Sequence, residues 1–133
     1  MKSLLLVMLG GAVGAGLRYL LSVRLAQFGA ASGWPWSTFV ANISGGLAMG
    51  LLAAWLLQPG RGAETAGMAD DLRLLLGVGL LGGFTTFSAF SLEMAMMIER
   101  GAMLTALGYA ALSVIIALIA LFAGLAAGKA VFA

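Results

Sequence analysis

Four apolar stretches, each long enough to cross a bilayer, fill most of this chain, with only short polar interruptions between them. A spanning helix needs about 20 residues, because each adds ~1.5 Å against a hydrocarbon core ~30 Å thick. In lipid the backbone has no water to bond, so each stretch must satisfy its own polar groups as a helix. Of the 133 residues 62% are hydrophobic and 9% charged, more apolar surface than a soluble globule of this size can hide. Four crossings leave no length for a soluble domain. Residues 1–133 therefore read as one all-α transmembrane domain.

The apolar runs and their punctuation predict helices over about 4–26, 37–57, 72–98 and 103–128. The first run follows Lys2 and imitates a signal peptide. It continues through Gly14, Gly16 and Arg18 well beyond the ~7–15 residues of a signal core, and so reads as an uncleaved helix. Gly29 to Trp36 reads as a loop, with Trp34 and Trp36 in an interfacial aromatic belt. Gln58 to Ala69 is the longest polar stretch and reads as a linker, with Pro59-Gly60-Arg61-Gly62 unable to stay helical. Asp70 or Asp71 suits the N-cap of the third helix. Within that helix Gly82-Gly83 is followed by Thr85-Thr86, poor helix material, and a break in mid-membrane is expected there.

Composition removes several kinds of function. With no cysteine there is no disulfide, thiolate zinc site or cysteine-held cluster. With no histidine the commonest metal ligand and near-neutral acid–base group is gone. Five carboxylates, most at loop positions, argue against an enzyme. The seven Lys and Arg are scattered and form no nucleic-acid patch.

Those same cations barely define an orientation. Lys2, Arg61, Arg73 and Lys129 fall on one side, Arg24 and Arg100 on the other, with Arg18 in or near the end of helix 1. The positive-inside rule needs a clearer excess than this. Insertion in both orientations, which would permit an antiparallel dimer, and insertion in one orientation both remain open on charge alone.

Polar residues inside the apolar runs are the candidate site. A break near 82–88 exposes carbonyls, tolerated in a membrane only where protein or a cavity covers them and able to coordinate an alkali cation. Gly10, Gly11, Gly14, Gly45, Gly46 and Gly50 are explained by close helix packing, which does not account for the Thr-Thr pair. Thr86, Phe90 and Glu93 fall on one helical face with Phe87 beside Phe90. The two rings are either ordinary packing or positive ring edges facing an anion. Thr105, Tyr109 and Ser113 recur every four residues on helix 4, and Thr38 and Asn42 make a similar pair on helix 2. Such residues glue helices together or line a polar path whose hydroxyl and amide hydrogens serve a small anion. Arg18 and Glu93 are the charges placed at membrane depth, where a functional role is the default, although Arg18 can snorkel.

Three strings resemble the CrcB/Fluc family of fluoride channels. Gly11-Ala12-Val13-Gly14-Ala15-Gly16-Leu17-Arg18-Tyr19 is similar to its opening. Trp36-Ser37-Thr38-Phe39-Val40-Ala41-Asn42 is similar to its second-helix start, with Ser37 for the usual Gly and Ala41 where Val is common. Gly82-Gly83-Phe84-Thr85-Thr86-Phe87-Ser88-Ala89-Phe90-Ser91-Leu92-Glu93 resembles its signature, with Ala89 for the usual Thr. The similarity extends through the Glu99-Arg100-Gly101 turn to the whole chain.

The resemblance implies a dual-topology antiparallel homodimer in the bacterial inner membrane, with two passive pores that export fluoride. It implies that Phe87 and Phe90 line the pores, with Asn42 donating nearby. Tyr109 and Ser113 would form a polar track, and Thr86, Ser88 and Glu93 would lie on the same route. Arg18 would sit near a vestibule. Backbone carbonyls of Gly82 and Thr85 from both subunits would hold a structural sodium ion. The competing reading is a small dual-topology, proton-coupled multidrug-type transporter with Glu93 as its carboxylate. Such exporters place that carboxylate on helix 1, which has none here. A structural membrane subunit without transport is the third.

Overall fold

The computed structural model describes residues 1–58 and 63–132, and they are all-helical. Helix α1 (Lys2–Ser32) and α2 (Trp36–Leu56) form a first pair of elements. A short α3 (Ala63–Leu72) runs on into a π-helix (Arg73–Leu81) and a last turn, α4 (Gly82–Phe84). Then come α5 (Ser88–Glu99) and α6 (Met103–Phe132). Four stretches are long and apolar enough to span: Lys2–Ala30, Trp36–Leu56, Ala66–Glu99 and Met103–Phe132. The chain is a multi-pass membrane protein, and its large exposed side chains, such as Leu104, Ile119 and Phe122, face where lipid would lie.

Several boundaries move from the sequence expectation. Helix α1 does not end near 26 but runs to Ser32, because Ala30 and Ala31 are strong helix formers and nothing stops the chain before Gly33. Gly33 then adopts the left-handed conformation (φ 68°) and its N–H caps Gly29 O. The helix that leads into the third span starts at Ala63 instead of 72, so about half of the expected linker is helix. Asp70 and Asp71 lie inside it and do not cap it. Asp71 pairs with Lys2, and Asp70 with Arg73 across one turn, so both carboxylates are met by cations. The Pro59-Gly60-Arg61-Gly62 expectation lies outside the described residues. The last helix reaches Phe132, with Lys129 in its final turn where a cation suits the helix dipole.

Packing runs through small residues spaced four apart. Gly10 and Gly14 on α1 meet Gly79, Leu80 and Phe84 so closely that an added Cβ would strike backbone atoms. Gly50 on α2 meets Leu121 and Leu125 of α6, while Gly124 on α6 meets Leu47 and Leu51 of α2. Lipid offers no hydrophobic drive between helices, so close backbone approach and dispersion hold these pairs. The two pairs, α1 with the third span and α2 with α6, frame the site. The buried side chains Phe90, Met97, Ala106 and Tyr109 lie where α5 meets α6.

Candidate functional site

Helical backbone stops at Phe84. Thr85 is extended (φ −82°, ψ 161°), and helix resumes at Ser88. Side chains take over the bonds that a continuous helix would make. Asn42, one turn into the packed face of α2, clamps Thr86: its Nδ2 donates to Thr86 O at 3.1 Å and its Oδ1 accepts Thr86 N at 2.9 Å. Thr85 Oγ1 donates to Leu81 O at 2.9 Å, and Thr86 Oγ1 accepts Ala89 N at 3.2 Å. Thr86 N and Ala89 N would cap Gly82 O and Thr85 O in an unbroken helix, and both are engaged by these side chains. The carbonyls of Gly82 and Thr85 thus lose their regular donors, as do those of Gly83 and Phe84, since Phe87 N and Ser88 N make no such bond among the described residues. Thr86 itself precedes α5, so the one-face argument fails for it, while Phe90 and Glu93 do share that helix.

A cleft of about 390 Å³ opens beside this segment, lined by Asn42, Thr85, Thr86, Phe87, Phe90 and Ser113 among others. Phe87 is 77% exposed, whereas Phe90 is buried. Asn42 Nδ2 carries a second hydrogen beyond the one given to Thr86. Ser113 Oγ is buried with no hydrogen-bond partner among the described residues. Thr86 Oγ1 and Ser88 Oγ lie 3.3 Å apart.

Aromatic rings lead onward from the cleft. Phe87 and Phe90 have centroids 5.6 Å apart, Phe90 and Tyr109 5.1 Å, and Tyr109 and Trp34 5.3 Å at a near-perpendicular angle. Glu93 lies past Phe90 with both oxygens satisfied. Thr38 Oγ1 donates to Oε1 at 2.6 Å and Tyr109 OH donates to Oε2 at 2.7 Å. A carboxylate at this depth is tolerable because two neighbouring helices, α2 and α6, supply its donors. Glu93 also borders a second cleft of about 220 Å³, together with Trp34, Gly33 and Arg100.

The expected residues therefore separate into groups. Asn42, Thr86, Phe87, Phe90 and Ser113 share one cleft, Tyr109 and Glu93 form the link to the next, and Gly82 and Thr85 flank the interruption. Arg18 is half-buried on α1 and lines neither cleft. Thr105 is exposed and falls off the stripe. Trp34 packs edge-on against Phe39 and Tyr109 and is half-buried, whereas Trp36 is exposed. Thr38 becomes a direct partner of Glu93. Its position four residues before Asn42 was the only sign of this in the sequence.

Comparison with known proteins adds to this geometry. Residues 5–125 match the family model described as CrcB-like protein, Camphor Resistance (CrcB). The chain is 53% identical over 133 residues to "Fluoride-specific ion channel FluC" of Caulobacter sp. (strain K31), covering 99% of this chain and 98% of that one. It is 55% identical to the protein of the same name from Phenylobacterium zucineum (strain HLK1), over all of both chains. A third, from Hyphomonas neptunium (strain ATCC 15444), is 49% identical over 136 residues, again spanning both chains.

Proposed function

The chain belongs to the CrcB-like family, and from that premise we propose that it is a fluoride-specific ion channel, a passive exporter working as an antiparallel homodimer in the bacterial inner membrane. The observation that carries the reading is the run of donors and ring edges joining the two clefts. Fluoride is small and strongly hydrated, so a pore must replace its water with donors that do not trap it. Asn42 offers its spare amide hydrogen and Ser113 an unpartnered hydroxyl. Phe87 and Phe90 offer positive ring edges, which attract an anion weakly enough to let it leave. Tyr109, Thr38 and Glu93 carry the polar route onward, with Thr86 and Ser88 hydroxyls beside its other end. No covalent bond is made or broken, so the chain is not an enzyme.

The dimer is supported by what one subunit leaves open. Phe87 and Gly82 are exposed, and the cleft beside them is open on one side. A second copy in the opposite orientation would supply the other wall and, by symmetry, create two pores. The near-balanced loop charges permit that insertion. Arg18, too far along α1 to serve its own clefts, would face a vestibule in the assembly.

A structural sodium ion fits the donor set. The carbonyls of Gly82 and Thr85, deprived of their helical donors, would hold it together with the same pair from the second copy. Bound there, it would add fixed positive charge to a low-dielectric region that anions must cross. A proton-coupled exporter is disfavoured by Glu93, whose oxygens are both occupied by hydroxyl donors.

In acid surroundings fluoride enters as the neutral acid, ionises inside, and leaves through the pores down its gradient. Phe87→Ile and Phe90→Ile test the aromatic assignment, because isoleucine keeps the bulk and removes the ring edge. Each variant is expected to form dimer on gel filtration while fluoride flux falls sharply. Two well-assembled variants that conduct like the parent would leave Asn42 and Ser113 as the only ligands.

A further inference from the structure

The loop between α1 and α2 carries two tryptophans whose indole hydrogens meet different fates. Ser32 Oγ accepts Trp36 Nε1 at 3.0 Å and also the Trp34 backbone N–H at 3.2 Å. Trp34 Nε1 is buried and has no hydrogen-bond partner among the described residues. Indole is a donor only, and a buried donor left unpaired is destabilising, so its retention calls for a partner. Trp34 is held by rings: Tyr109 at 5.3 Å, Phe39 at 5.7 Å and Trp36 at 6.2 Å. It also lines the cleft that contains Glu93 and Arg100.

The geometry points to Trp34 Nε1 as the donor of an additional fluoride subsite at this cleft, one step beyond Glu93 on the route. The subsite rests on the channel reading. Arg100 supplies its positive charge. Arg100 Nε is committed to Met96 O at 3.0 Å, which fixes the root of the guanidinium, while its two terminal nitrogens are without hydrogen bonds among the described residues. Glu93 is two helical turns before Arg100, and both its oxygens are occupied by Thr38 and Tyr109. The anion therefore lies on the Arg100 side of the cleft. Trp34 Nε1 is buried at rest, so the subsite requires the indole to turn toward the cleft that Trp34 lines when fluoride binds. An N–H donor beside a guanidinium favours fluoride, the smaller ion and stronger hydrogen-bond acceptor, over chloride.

The test uses the assembled parent protein in detergent, labelled with ¹⁵N at its three tryptophans. Trp34→Phe, which keeps a ring in place, identifies the Trp34 indole signal by its loss. Sodium fluoride is then titrated against sodium chloride at matched ionic strength. The expected result is a saturable downfield shift of the Trp34 indole proton in fluoride, absent in chloride, while the Trp36 signal stays still because Ser32 already engages it. A silent Trp34 signal, an equal shift in both salts, or an equal shift at Trp36 overturns the subsite. Fluoride flux by the same preparation separates the two claims: flux with a silent Trp34 sinks the subsite alone, and no flux sinks the channel reading beneath it.

Discussion

Asn42→Ala removes the side-chain clamp between α2 and the extended segment. Two hydrogen bonds disappear, at 3.1 and 2.9 Å, and both polar groups of the Thr86 peptide edge lose their partner. Interhelical hydrogen bonds in membranes average ~0.6 kcal/mol and reach about 1.7. A buried group left unpaired costs about 1–3 kcal/mol. Partial relaxation of the segment brings the two groups together to roughly 2–4 kcal/mol. Since ~1.4 kcal/mol is tenfold, the folded fraction under titration with denaturing detergent should drop about thirtyfold to several hundredfold at equal detergent. Flux should disappear as well, because the spare amide hydrogen goes with the clamp. Asn42→Asp keeps an acceptor for Thr86 N and loses the donor, so it should recover about half the stability and none of the flux. Ser113→Ala provides the contrast. Its hydroxyl has no hydrogen-bond partner among the described residues, so stability should be unchanged or slightly higher while flux falls. If Asn42→Ala unfolds at the same detergent fraction as the parent, the clamp is not what holds the interruption.

Two further outcomes follow from packing and charge. Gly124→Ala places a methyl against Leu47 and Leu51 backbone, where no side chain can swing aside, and should prevent stable assembly; Gly108→Ala, with open space around it, should be harmless on gel filtration. Single cysteines placed beside Lys2 and at Gly101 should each react with a membrane-impermeant reagent from both faces of inverted and upright vesicles, whereas labelling from one face only would end the antiparallel dimer.

How much the sequence told depends on the range of the interaction. Four spans were legible because burial in lipid writes itself as unbroken apolar length. A packing role for Gly10, Gly14, Gly46 and Gly50 was legible, but what they meet, Gly79, Leu80, Ala117 and Leu121 respectively, was not, since pairing of helices is not local. Helix α3 was not legible because a polar stretch with two adjacent aspartates looks like linker until those aspartates find Lys2 and Arg73. The stripe on α6 was overextended. A four-residue step advances ~400°, so positions drift ~40° per step, and Thr105 lies ~80° from Ser113. Glu93 was singled out for its depth, yet its neighbours were hidden: Thr38 is 55 residues away in sequence and Tyr109 is 16. The place of Trp34 between two spans points to the interface, and only the fold reveals its packing against Tyr109, which is distant in sequence.

The central claim is tested most directly by purified protein in liposomes loaded with equal fluoride and chloride, with potassium permeability supplied to balance charge and no proton gradient. Ion-selective electrodes outside read both anions at once. The account predicts rapid fluoride efflux that depends on the protein, with chloride retained until detergent breaks the vesicles. Efflux of both ions at similar rates, or retention of fluoride by vesicles that hold well-assembled dimer, would contradict it.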